Sequence, residues 1–251
     1  MDDSATPETR PALTRYEDVA KMIDHSLLRP ELTDAQIEEG CRIGREYGVA
    51  SMTLRPADVD LGVRLMDGSG VKVGTVAGFP HGSSTTATKL YEARDAMRRG
   101  AKEVDMVINI GKMLSRQFQY VEMEVLQMAQ ACREGGALLK VIFENSFLSE
   151  DLKVIACKIC NRCEVAFAKT STGYSDGGAT TEDLKLMRRF CAPDVAIKAA
   201  GGVRTLARLL EVYEIGVTRV GATATVTILE DWKAHLAKLE AEKAANSVSG
   251  A

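Results

Sequence analysis

The fold is decided by Val165-Ala-Phe-Ala-Lys169-Thr-Ser-Thr-Gly173, then TTEDLKLMRRF (180–190), then Val195-Ala-Ile-Lys198-Ala-Ala-Gly201-Gly202-Val-Arg204-Thr205. A short apolar run ends on a polar loop. A helix-forming segment follows, with acids in its first turn and arginines in its last, and a second apolar run then opens. That is a strand–helix–strand unit, and two parallel strands need such a crossover.

The same unit recurs outward in both directions. Candidate strands are Ile23–Leu27, Val49–Leu54, Val71–Ala77, Glu103–Ile108, Leu138–Glu144, Val165–Lys169, Val195–Ala199 and Arg219–Gly221. Their starts lie about 22 to 35 residues apart, which suits right-handed βα crossovers. Between them, TDAQIEEGCRIGREYG (33–48) carries a capping box from Thr33 to Gln36 and stops at Gly48. TATKLYEARDAMRRG (86–100) lines up Leu90, Ala93 and Met97 and stops at Gly100. Segments 119–136 and 204–216 have the same character. Eight strands in strict alternation predict an α/β fold of one domain, a (β/α)8 TIM barrel with a short N-terminal extension and a C-terminal helix. An open doubly wound sheet would favour a glycine fingerprint after the first strand, and IDHSLLRPEL has none.

The 251 residues, 45% hydrophobic and 27% charged, are ordinary for a globular chain and enough for one barrel. The expected organisation is a flexible N-terminal tail over 1–14, the barrel over 15–240 and a polar C-terminal tail over 241–251. A net charge of −3 gives no reason to expect nucleic acid as a partner. No apolar run approaches a membrane span, and the acidic start is unlike a signal peptide, so the expected location is the cytoplasm. Cys157, Cys160 and Cys163 have a spacing that can hold part of an iron–sulfur cluster. They lie within SEDLKVIACKICNRC (149–163), which opens on a Ser cap and reads as a helix, so buried helix cysteines are the better reading. Three scattered histidines offer no convergent zinc site.

Barrel strands are buried on both faces, so a charge within one is costly unless paired or used. Asp105 interrupts EVDMVINIG, Lys140 and Glu144 interrupt LLKVIFE, Lys169 ends VAFAK and Lys198 sits in VAIKAAGG. Alternation puts Val165, Phe167 and Lys169 on one side, and Lys140 with Glu144 on one side. One such charge could be a mere buried ion pair. Several on consecutive strands, toward the loop end of a barrel, point to a shared cavity. A lysine crowded by another lysine loses its proton more easily. The neutral amine can attack a carbonyl to form an imine, and Asp105 can move protons beside it. Loops after the seventh and eighth strands are the usual barrel phosphate site. Here they read Gly201-Gly202-Val203-Arg204-Thr205 and Gly221-Ala222-Thr223, and the loop after the sixth adds Thr170 to Gly173.

These stretches, with IDHSLL, VKVGTVAGFPHG, EARDAMRRGAKEVDMVINIG, AKTSTGYSDGGAT and TRVGAT, resemble the deoxyribose-phosphate aldolases from about Ile23 to Thr225. The resemblance implies reversible cleavage of 2-deoxy-D-ribose 5-phosphate to acetaldehyde and D-glyceraldehyde 3-phosphate, with no metal and no cofactor. It implies that Lys169 is the Schiff-base lysine, Lys198 the second lysine and Asp105 the proton relay. Asp24, Lys140 and Thr170 match positions lining the site, and Gly173, Gly201, Gly202 and Gly221 its phosphate side. The implied partners are small phosphorylated sugars and aldehydes, with a homodimer as the expected assembly.

The chain departs from the family at Thr223-Ala224, where relatives often carry Ser-Ser, and at Thr53, Arg55 and Asn145. It also ends NSVSGA, without the C-terminal tyrosine some members use. A different or unphosphorylated substrate is therefore an alternative, as is a non-catalytic sugar-phosphate-binding barrel. His81 could touch substrate or order its loop, and His25 reads as structural.

Overall fold

The computed structural model describes residues 10–249. Eight parallel strands close into a barrel in sequence order: β1 (Ile23–Leu27), β2 (Ser51–Leu54), β3 (Lys72–Ala77), β4 (Glu103–Val107), β5 (Leu138–Ile142), β6 (Phe167–Lys169), β7 (Ala196–Ala200) and β8 (Arg219–Ala222). Closure is direct, with Asp24 of β1 in register with Gly221 of β8. The wall is formed by α2 (Asp34–Glu46), α3 (Val59–Met66), α4 (Thr86–Arg98), α6 (Phe118–Glu134), α7 (Glu150–Arg162), α8 (Thr181–Phe190), α9 (Leu206–Ile215) and α10 (Thr225–Ser249). Two short helices complete it, α1 (Tyr16–Ala20) ahead of the barrel and α5 (Ile110–Leu114) after β4.

Several strands begin one or two residues later than the apolar runs suggest. The N–H groups of Val49 and Val165 still close the preceding helices, onto Gly44 and Cys160 carbonyls at 3.2 and 3.3 Å. The Thr33–Gln36 capping box forms in both directions. Ser149 is the N-cap of α7, but its hydroxyl turns to the Asp151 carboxylate instead of a backbone N–H.

The apolar core lies between barrel and helices. Gly44 and Gly62 show how tightly the helices sit. A Cβ at Gly44 would fall 2.0 Å from Met52 Sδ, and one at Gly62 2.1 Å from Leu54 Cδ1. A helical glycine costs about 1 kcal/mol relative to alanine, and burying Met52 and Leu54 against bare backbone recovers roughly 2 kcal/mol each.

The chain ends differ from the expected tails. Residues 10–13 strap the barrel floor. Arg10 donates to the carbonyls of Tyr213 and Val217 at 2.7 and 2.9 Å and stacks on the Tyr213 ring, whose hydroxyl donates to Pro11 O. At the other end, α10 continues through position 241 to Ser249. The rest of the expected tails, 1–9 and 250–251, lies outside the described residues. Cys157 and Cys160 on α7 and Cys163 at its C-cap are free, buried thiols.

Candidate active site

Strand alternation sends Glu103 and Asp105 inward from β4, Lys140 from β5, Phe167 and Lys169 from β6, Lys198 from β7 and Asp24 from β1. The register sets Asp105 beside Lys140 and Lys169 beside Lys198. Their charged ends meet near the barrel axis. Lys169 Nζ lies 2.7 Å from Asp105 Oδ2, and Lys198 Nζ lies 2.8 Å from that same oxygen and 2.5 Å from Asp24 Oδ2. Lys140 Nζ reaches Asp105 Oδ1 at 2.9 Å, Asp24 Oδ2 at 3.0 Å and Glu103 Oε2 at 2.6 Å. Arg219 joins Asp24 and Glu103 from β8, and Ser51 Oγ donates to Asp24 Oδ1 at 2.7 Å. The five expected members, Asp24, Asp105, Lys140, Lys169 and Lys198, form one network. Glu103 and Arg219 belong to it as well. Alternation carried the signal for Glu103, two residues before Asp105.

Fully ionised, the network holds four cations (Lys140, Lys169, Lys198, Arg219) against three anions (Asp24, Glu103, Asp105). An uncompensated buried charge is expensive, so one lysine is under pressure to lose its proton. The contacts distinguish them. Lys140 touches three carboxylates and Lys198 two, whereas Lys169 touches one and shares that oxygen with Lys198. Lys169 is accordingly the least compensated of the three lysines. Burial brings its ammonium down to about 8; Asp105 opposes this, while Lys198 and Lys140 add to it. Burial also works against the charge on Lys140, but Asp105, Asp24 and Glu103 outweigh it and hold that ammonium above its usual range. Burial opposes ionisation of Asp24 and Asp105 too, yet the surrounding cations keep both carboxyls well below theirs.

Lys169 also forms part of the wall of a cavity of about 520 Å³ at the carboxyl end of the barrel. Gly173, Gly201, Gly202, Gly221, Ala222 and Thr223 line it, together with Tyr174 and Arg204. Gly201 and Gly202 hold φ of 85° and 90°, a left-handed backbone that side chains resist. A Cβ on Gly201 would sit 2.9 Å from Gly178 Cα, so the loops after β6 and β7 interlock glycine to glycine. The cavity lining runs to Val203 and Arg204, just ahead of α9, and a helix start favours an anion nearby.

Two expected residues take other tasks. Thr170 Oγ1 donates to Ala200 O and accepts from Ala200 N at 3.1 and 3.0 Å, tying β6 to β7. Glu144 lies beyond the end of β5 in a left-handed conformation, and its carboxylate accepts the N–H and hydroxyl of Thr172. Glu144 thus braces the loop after β6 and does not join Lys140. His25 Nδ1 lies 2.7 Å from Thr225 Oγ1, and burial lowers its imidazolium to about 4.

A closed parallel barrel with ionisable side chains gathered under a cavity at its carboxyl end defines a barrel enzyme. The particular family follows from sequence. The chain belongs to the DeoC/LacD family of aldolases, whose family model matches residues 18–234. It is 46% identical over 214 residues to the deoxyribose-phosphate aldolase of Clostridium perfringens, spanning 85% of this chain and 95% of that protein. It is 43% identical over 236 residues to that of Rhodopirellula baltica, spanning 94% and 98%. The fold matches the structure of the deoxyribose phosphate aldolase from Aeropyrum pernix, described as tetrameric. That match has a TM-score of 0.81 and 28% identity, over 88% of this chain and 93% of that one. Among the described residues no helix is long and apolar enough to cross a membrane.

Proposed function

We propose that this protein cleaves 2-deoxy-D-ribose 5-phosphate reversibly to acetaldehyde and D-glyceraldehyde 3-phosphate, with Lys169 as the Schiff-base amine. The observation that carries the reading is the position of Lys169: the least compensated amine of an over-cationic network, on the wall of the cavity. Its neutral form attacks the C1 aldehyde of the open-chain sugar, and loss of water gives a protonated imine. A base removes the C3 hydroxyl proton, the C2–C3 bond breaks, and its electron pair flows toward the imine nitrogen to leave an enamine. Protonation at C2 and hydrolysis then release acetaldehyde and the free lysine. Asp105, bonded to both Lys169 and Lys198, is positioned to pass protons, directly or through water. Lys198 supplies positive charge that favours the neutral amine.

The backbone at Gly173, Gly201, Gly202 and Gly221, with Ala222 and Thr223, is assigned to the phosphate, and Arg204 at the cavity edge offers a matching charge. Asp24 and Lys140 hold the network in register, while Thr170 fixes the spacing of the strands that carry the two lysines. The reading puts the enzyme in the cytoplasm as a homodimer. Tyr91 on α4 and Met123 on α6, both large, apolar and exposed, support an association surface.

The test is to incubate the protein with acetaldehyde and borohydride and map the reduced adduct by mass spectrometry. The expected product is an ethyl group on Lys169 Nζ. No adduct, or one on another residue, refutes the assignment. Cleavage of deoxyribose with and without its phosphate then reads the phosphate loop, with a strong preference for the phosphorylated sugar expected.

A further inference from the structure

Two charges of the barrel interior have no part in the chemistry just described. Glu103 is fully buried at the start of β4, one inward position below Asp105. Arg219 enters from β8 with its guanidinium over the Phe167 ring, 5.0 Å from the centroid. Its Nη1 donates to both Glu103 oxygens at 3.2 and 3.0 Å and to Asp24 Oδ1 at 2.6 Å. Glu103 in turn holds Lys140 at 2.6 Å. The neighbouring strand leaves room, since a Cβ on Gly74 would lie 3.2 Å from Glu103 Cβ. Neither residue lines the cavity above Lys169.

We propose that Glu103 and Arg219 are positioning residues, a charge-setting floor beneath the lysines that fixes the protonation state in which Lys169 meets its carbonyl. The inference rests on Lys169 being the reacting amine. Its physical content is the count of charges. With Arg219 the network has one cation too many, and Lys169, held by one shared oxygen, is the cation with the least compensation. Without the Arg219 charge, three lysines face three carboxylates and all can stay protonated. Without the Glu103 charge, four cations face two anions and the pressure on Lys169 grows. The other charged groups facing Lys169 are Asp105 on β4, Lys140 on β5, Lys198 on β7 and Asp24 on β1. The buried polar side chains of β2 and β3 at this level, Ser51, Thr53 and Thr75, are uncharged. Glu144, past the end of β5, is bound to Thr172. Arg29, Glu31 and Arg204 stand on the cavity rim, where water screens them.

The experiment is competitive acetylation of the intact protein with acetic anhydride across pH, with labelling of Lys169 read by peptide mass spectrometry. The reagent acylates only the neutral amine, so the midpoint reports Lys169 without requiring turnover. The starting protein is expected to give a midpoint at about 8. Arg219→Gln is expected to move it up by about one pH unit and Glu103→Gln down by about as much, as for single charges lost from a buried cluster. The double variant restores the original excess of one cation and is expected to return near the starting midpoint. Arg219→Lys and Glu103→Asp keep the charges and are expected to hold it there.

A purely packing role would lower stability or turnover without moving the midpoints in opposite directions. Midpoints that stay put in both Gln variants, or move the same way, overturn the inference. So does a large shift in Arg219→Lys or Glu103→Asp, which remain informative if a Gln variant does not fold. Opposite shifts in a chain that shows no aldolase activity would refute the proposed function while still showing that Glu103 and Arg219 set the charge state of Lys169.

Discussion

The molecule buries lysine in two places, and the two differ in arithmetic. On the outer side of the barrel, Lys89 of α4 is fully buried and pairs with Glu124 of α6 at 2.9 Å, donating also to Val107 O at 2.7 Å. Glu124 accepts the N–H of Asn109 at 3.0 Å with its second oxygen. One cation meets one anion, and backbone groups take up the remaining bonding capacity. Burial shifts both partners toward their neutral forms, lowering Lys89 and raising Glu124, with each opposed by the other. The pair lies away from the cavity and fastens two helices to the loop after β4. Inside the barrel, charge is out of balance by one, and the odd lysine faces a cavity. Burial of lysine is therefore not the signature of chemistry. Burial with an uncompensated charge and access to a ligand is.

The largest expected effect on this contrast comes from Lys169→Leu, which removes the amine altogether. Turnover is expected to fall by about 10⁴-fold or more, the scale of losing covalent catalysis, with the melting temperature nearly unchanged or raised because a cation leaves an over-cationic cluster. Aldol cleavage and thermal unfolding assays check both halves. Next is Lys89→Met, which strands Glu124 in the wall. Chemical denaturation is expected to show a loss of about 3–5 kcal/mol, with kcat per folded molecule retained. A comparable loss of kcat in fully folded protein would mean that the outer pair also serves the reaction.

Lys198→Leu should give an intermediate effect. Removing that positive charge raises the pKa of Lys169 from about 8, so less neutral amine is present at pH 7 and more of it appears only at higher pH. Each rise of one pH unit in that pKa is expected to slow imine formation at pH 7 roughly tenfold, with partial recovery on the alkaline side. A rate profile whose rising limb stays in place contradicts the charge argument. The smallest effect is expected from Thr170→Val, which cuts the tie to β7 at a cost of about 1–2 kcal/mol in stability. If the tie sets the lysine spacing, kcat should fall severalfold while KM holds.

Much of this was legible in the chain itself. Period-two alternation in EVD, LLK and VAFAK placed Asp105, Lys140 and Lys169 inside, because a closed barrel leaves a strand no solvent face. The glycines of KAAGGVRT marked the cavity loop, because their backbone angles exclude other residues. The rest is masked in the sequence by local context. Glu103 and Arg219 stand at strand starts, where charges are usually solvated, and only the closed barrel carries Arg219 across to Asp24. Lys89 sits in a helix whose Leu90 and Met97 suggested the inner face. The face that is actually sealed runs through Lys89, Ala93 and Ala96. Thr170 and Glu144 lie in polar loop sequences where reach cannot be read, and both spend their side chains on neighbouring backbone.

The strap formed by Arg10 and Pro11 across the barrel floor has a practical consequence for handling the protein. It fixes a stretch of chain to the end of the barrel opposite the cavity, on the carbonyls of Tyr213 and Val217. Attachment to a solid support through a cysteine introduced near Ala12 would orient every molecule with its opening toward the flowing solution. Coupling through the many surface lysines would orient molecules at random and turn a share of the openings toward the support.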